Sequence, residues 1–174
     1  RRREIACIYV MTALFATAYF TVYSYIEPFL HSVAAFSPDM ITLALMLLGV
    51  SGLLASFIFS RTYGRYRFAL LRRVLLVVST ALLLWQTAAL TLPTMLLLCI
   101  VAGTAATIYN LAFQAEILRL VPQTATTVAM SIFSGIFNLG IGSGTYLGAI
   151  ATDGGHLAHI GYLGAAIAGA AALL

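Results

Sequence analysis

Six long apolar stretches, separated by short segments rich in helix breakers or arginine, constrain this sequence more than any other feature. They run from about Ile5 to Phe29, Met40 to Ser60, Phe68 to Leu90, Thr94 to Leu118, Thr126 to Ile150 and Leu157 to Leu174. A hydrocarbon core about 30 Å thick takes a helix of about 20 apolar residues, so six spans use roughly 135 residues. The chain has 174, which leaves short loops and no soluble catalytic domain. Composition agrees: 62% of the residues are hydrophobic and 8% are charged, against about 25% charged in globular domains. Mean hydropathy is +1.03. A soluble fold of this size cannot hide so much apolar surface, and disorder needs the opposite composition.

A backbone that crosses lipid must satisfy its own hydrogen bonds, which predicts helices. Alternation with a period of two is absent, which excludes an outer-membrane barrel. Connections are expected at His31–Asp39, Ser60–Arg67, Thr91–Pro93, Leu120–Ala125 and Thr152–His156. The sixth stretch is still apolar where the sequence stops, and the first residue is not Met. The expectation is an excised or processed piece whose last helix is truncated.

All nine basic residues are Arg: Arg1, Arg2 and Arg3, then Arg61, Arg65, Arg67, Arg72 and Arg73, then Arg119. Placing the first three in the cytoplasm puts the other six there as well. The outer connections then hold only His31, Asp39, Asp153 and His156. This positive-inside pattern predicts a multi-pass protein of the cell (inner) membrane, with both ends cytoplasmic and the lipid bilayer as solvent. The net charge of +4 is thereby a topology signal. No aromatic-interleaved basic patch points to nucleic acid.

Cys7, Cys99 and three histidines show no metal-ligand spacing, so neither metal nor cofactor is expected. The cysteines belong to different depths, too far apart for a disulfide. Ser143 and His159 do not make a catalytic dyad. Their depths differ, and Ile141 stands where a Gly-x-Ser-Gly protease signature needs Gly. The chain is not expected to be an enzyme.

Polar residues within spans are costly in lipid, so they are candidate functional sites. Thr12, Tyr19, Tyr23 and Glu27 share one helical face; so do Gly103, Thr107, Asn110 and Gln114, and so do Ser131, Ser134, Asn138 and Thr145. Two readings stand. The stripes line a wet cavity, or the hydroxyls bond their own helices while the amides join helices. The cavity reading assigns substrate binding to Tyr19, Tyr23, Asn110, Gln114 and Asn138. Glu27, at a span edge before Pro28, is then a gate or proton-linked carboxylate, or else marks the interface. Glu116 and Arg119 are one turn apart, which predicts an ion pair. Gly140, Gly144 and Gly148 form a small-residue row for close helix packing, with a lesser row at Gly52 and Ser56. The same faces could also meet a second half of the protein.

Ala16-Thr17-Ala18-Tyr19 recurs as Ala106-Thr107-Ile108-Tyr109, 90 positions on, and Leu48-Gly49-Val50 as Leu139-Gly140-Ile141, 91 positions on. A repeating unit of three spans gives copies of inverted topology, as within the halves of many secondary transporters; chance similarity among abundant residues is the alternative.

Three stretches carry a family resemblance: Tyr23-Ser-Tyr-Ile-Glu-Pro-Phe29, Ala129-Met-Ser-Ile-Phe-Ser-Gly-Ile-Phe-Asn-Leu-Gly-Ile-Gly142, and Ser60-Arg-Thr-Tyr-Gly-Arg65. With them the chain resembles the C-terminal six-helix half of a major facilitator superfamily transporter, of the bacterial sugar or drug efflux (proton antiporter) branch. Gly64 and Arg65 match the end of the family's basic loop motif. Phe57 and Arg61 replace its leading Gly and its Asp, so the charge-relay gate of that motif is not carried over. The resemblance implies an all-α half-domain over residues 1–174, built as two inverted three-helix repeats. It implies secondary active transport by alternating access, as in drug resistance or sugar transport. The partners would be a small-molecule substrate, the proton and an N-terminal six-helix half. The first, second, fourth and fifth helices would line the cavity. A different class, a self-contained six-helix channel or membrane assembly subunit, remains open on sequence. The topology gives a direct test. Reporter fusions after Arg65 and after Asp153 should report opposite sides of the membrane, and the same side for both would refute the six-span arrangement.

Overall fold

The computed structural model describes residues 2–172 and is helical throughout, with no strand among the described residues. Arg1, Leu173 and Leu174 lie outside them, and with them one of the N-terminal arginines and the end of the sixth expected span. The helices are α1 (Arg2–Tyr23), α2 (Ile26–Ser32), α3 (Pro38–Leu83), α4 (Trp85–Ala88), α5 (Leu92–Leu120), α6 (Thr126–Asp153) and α7 (Ile160–Ala172). Four helical segments are long and apolar enough to cross a membrane: Arg3–Ser32, Pro38–Arg67, Leu92–Leu120 and Gln123–Asp153. By length and composition these helices are compatible with a helical membrane protein. The third and sixth expected spans appear as shorter pieces, the second part of α3 and α7.

Helix boundaries follow local chemistry. Ser37 caps α3 by accepting from the Met40 amide at 3.4 Å, and Pro38 occupies the first turn, where its missing N–H costs nothing. The first expected span runs on past Phe29 to Ser32, interrupted only by a two-residue turn at Ser24 and Tyr25. Pro28 cannot donate to the Ser24 carbonyl, so the ladder opens one turn before it. The Thr94 hydroxyl donates to the Ala88 carbonyl at 2.7 Å, tying α4 to the start of α5. At the end of α6, Gly155 takes φ +76, a left-handed turn suited to glycine.

The largest departure from the sequence expectation is at Ser60–Arg67. No open loop forms there. Two helices meet end to end within the 46 residues of α3, at a kink where Tyr66 (φ −130, ψ 31) leaves the helical region. A straight helix of that length would extend about 69 Å. Instead α3 folds back at Tyr66. Near its start, Ile41 and Leu45 share a pocket with Glu27 and His31. Near its end, Leu82 meets Val22 and Ala18 around Gly164, and Trp85 just beyond lies 6.2 Å from Phe29. Both ends of α3 therefore sit at the same end of the bundle. Arginine is a good helix former, and with no Pro in the segment a single distorted residue suffices for the turn.

Directions alternate in consequence. α1 and α6 run side by side, with Ala13 beside Gly140 and Thr21 beside Gly148. The first arm of α3 runs with α5, with Ser51 beside Gly103 and Tyr63 bonded to Glu116. α7 returns from Leu82 and Trp85 to a groove it shares with Cys7 and Arg72. One end of the bundle thus collects Arg65, Arg67, Arg72 and Arg119.

Close approach holds these pairs together. A Cβ on Gly140 would lie 2.6 Å from the Ala16 Cβ and 2.8 Å from the Ala13 carbonyl oxygen; one on Gly148 would lie 2.7 Å from the Thr21 oxygen. Gly144 abuts the Thr17 carbonyl, and Gly103 abuts Ser51 and Leu48. The Gly row thus packs against α1 within this unit. Gly142 is open. Gly144→Ala should destabilise by about 1–3 kcal/mol through overpacking against backbone. Gly142→Ala should be neutral or stabilise by up to about 1 kcal/mol through helix propensity. Unfolding in one detergent, followed by fluorescence, checks both.

Candidate functional site

Three groups of side chains define the candidate site. The first is an aromatic run. Tyr19 stacks on Tyr23 (5.5 Å) and lies 6.0 Å from Phe15, which stacks on Tyr109 at 3.9 Å. Phe20 links Tyr23 to Phe137, edge-on at 5.4 and 6.0 Å. Tyr19 is buried, while Tyr23 is 39% exposed. The run therefore leads from the core of α1 and α5 to an open surface beside α6.

The second group is the amides. The Gln114 amide donates to the Asn110 side-chain oxygen one turn away. Asn110 lines a crevice with Thr12, Phe15, Tyr109, Phe133 and Phe137 that has no room for a water molecule. Asn138 lies apart from this pair. It is exposed on α6, and its amide donates to the Ser134 carbonyl of the same helix at 2.8 Å. The tyrosines are thus brought to each other, and so are Asn110 and Gln114. Asn138 joins neither pair directly and faces outward.

The threonines satisfy themselves. Thr12, Thr17 and Thr21 donate to the carbonyls of Ile8, Ala13 and Thr17 at 2.7–2.8 Å. In lipid this keeps a hydroxyl satisfied within its own helix. Thr145 instead reaches across: its hydroxyl meets Ser24 at 2.8 Å, and its carbonyl accepts from Tyr25 at 3.2 Å. Ser24 and Tyr25 occupy the break that Pro28 imposes, so the break frees them to grip α6. Glu27 is exposed and lines a pocket with Pro28, His31, Pro38 and Thr42, none of which belongs to the aromatic run. Ser143 is exposed, and His159 lies beside Tyr162 at 5.9 Å between ring centres.

The third group was only half legible. Glu116 pairs with Arg119 at 3.7 Å, as its spacing predicts. It also meets Arg67 at 3.3 Å and accepts from the Tyr63 hydroxyl at 2.7 Å. Glu116 is 7% exposed, so these three donors satisfy a carboxylate withdrawn from water. Tyr63 and Arg67 flank the fold-back of α3, and local spacing gives no sign of their partner on α5. The faint signal is that Glu116 is the sole acidic residue between Asp39 and Asp153, opposite a five-arginine segment.

No metal-ligating cluster occurs among the described residues. No family model matches the chain.

The Glu116 hub makes a graded prediction. Tyr63→Phe removes one hydrogen bond to a charged group and should cost about 1.5–3 kcal/mol. Arg119 is half exposed, so Arg119→Gln should cost about 0–1 kcal/mol. Unfolding of the two variants in the same detergent tests the order, and a larger loss for Arg119→Gln would contradict it.

Proposed function

We propose that this chain is one six-helix half of a secondary transporter resembling the major facilitator superfamily, exporting small neutral or amphipathic molecules in exchange for protons. The observation that carries the reading is the outward face of α6. Ser131, Ser134, Gly135, Asn138 and Gly142 are all exposed within a segment long and apolar enough to span a membrane. Polar groups facing hydrocarbon are costly, so this face fits water or a second protein unit better than lipid. A substrate pathway between two half-domains provides both.

The packing also favours an inverted repeat. α1 packs principally on α6, and α3 principally on α5. The tight crossing of Ala13 with Gly140 has its counterpart 90 positions on, where Gly103 crosses α3 between Leu48 and Ser51. Ala16 to Tyr19 and Ala106 to Tyr109 share one burial pattern, with only the threonine partly open. Gly49, the counterpart of Gly140, is open, so the glycine of the crossing stands on α6 in one pair and on α5 in the other. In this reading the two halves rock about a midplane site. Tyr23 and Asn138 meet substrate first, Tyr19, Asn110 and Gln114 lie behind them, and Glu27 lies at the outer edge.

The test is transport by the intact parent protein in vesicles with an imposed proton gradient, across sugars and cationic or neutral drugs. Asn138→Ala should lower transport while changing stability by less than about 0.5 kcal/mol, because its side chain bonds only its own helix. Substrate should protect single-cysteine replacements at Tyr23 and Asn138 from labelling. No protection at either position would end the binding-site assignment, and no gradient-driven flux would end the transporter reading.

A further inference from the structure

At the Arg-rich end, a groove of about 740 Å³ opens between α1, the second arm of α3, α5 and the end of α7. That volume lies within the range of small-molecule sites, about 300–1,000 Å³, room for a headgroup and part of one acyl chain. Its wall is apolar: Ile8, Met11, Leu71, Leu75 and Phe113 line it. Its mouth is charged, with Arg67, Arg72 and Arg119 against Glu4 and Glu116. These charges are unequally committed. Glu116 is held by Tyr63, Arg67 and Arg119, and Glu4 is engaged as well. Arg72 is exposed and makes no ion pair among the described residues. A cation with unused donors therefore stands at the rim of an apolar slot.

We propose that this groove is a binding site for an anionic phospholipid, with the phosphate at Arg72 and an acyl chain along Ile8, Met11 and Leu71, over the buried Leu75 and Phe113. Charge complementarity selects the headgroup. Basic pockets between membrane helices attract anionic lipids, each basic residue adding to the affinity. The apolar wall selects a lipid over a free anion, which has no use for that surface. The site is separate from the face of α6 that carries the transport reading and does not depend on it.

Cys7 lines the same groove and is exposed, while Cys99 is buried. Alkylation therefore reports occupancy with an internal control. The intact protein, in a neutral detergent, is treated with a maleimide, and the Cys7 and Cys99 peptides are quantified by mass spectrometry. Added phosphatidylglycerol should slow Cys7 alkylation, whereas phosphatidylcholine or inorganic phosphate should not. Arg72→Gln should raise the half-protecting phosphatidylglycerol concentration about fivefold, and Arg72→Lys should stay near wild type. Equal protection by phosphatidylcholine would overturn headgroup recognition, and protection by inorganic phosphate alone would make this a free-anion site. A Cys7 that does not react before lipid is added would mean that protein already covers the groove. Each of these three results refutes the proposal.

Discussion

The close approach of helix backbones at glycine is the contact on which the rest of this fold depends. In lipid there is no hydrophobic force to press helices together, so association rests on packing and polar contacts. Gly140, Gly144 and Gly148 bring α6 against the carbonyls of α1, and Gly103 does the same between α5 and α3. α7 repeats the device, with Gly161 at the Leu82 carbonyl and Gly164 at that of Ala18. A methyl group at these places meets backbone, which cannot swing aside. Once these crossings are fixed, the side chains above and below them have little freedom. Tyr9 reaches the Ala129 carbonyl, Tyr25 reaches that of Thr145, and Tyr109 reaches that of Met11.

A second constraint acts at the Arg-rich end. The fold-back of α3 at Tyr66 gathers arginines, and like charges resist being gathered. Glu116 offsets part of that repulsion from a buried position, accepting from Tyr63 and pairing with Arg67 and Arg119. The hub therefore ties the turn of α3 to the end of α5, the same pair of helices that Gly103 joins at mid-length. Two crossings far apart along one helix pair fix its angle as well as its distance.

The polar residues divide by what the packing lets them reach. The threonines of α1 close on their own helix, and Asn110 and Gln114 close on each other. Those contacts carry no information about a ligand. The residues of α6 are different, because Asn138 satisfies one carbonyl at Ser134 and still faces outward with Ser131 and Gly142. A stripe that is polar, small and unburied on a span-length helix is the part of this molecule that calls for a partner or for water.

By itself the sequence determined the helical membrane architecture, because 62% hydrophobic residues in span-length runs permit few other solutions in lipid. It also determined which residues could pack closely, since the spacing of Gly140, Gly144 and Gly148 places them on one face. The pairing of Glu116 with Arg119 was legible for the same reason: three residues along a helix is a local distance. Helix ends were less legible. The turn at Ser24 and Tyr25 interrupts the first span without ending it, and in the arginine-rich segment the expected connection narrows to a kink at Tyr66. Only the tertiary structure decided which helix the Gly row meets, because a small-residue face fits any close neighbour. It alone decided that Tyr63 and Arg67 join Glu116 across 53 and 49 positions of sequence. Such partners are set by the direction in which α3 turns at Tyr66, and no local pattern encodes that direction.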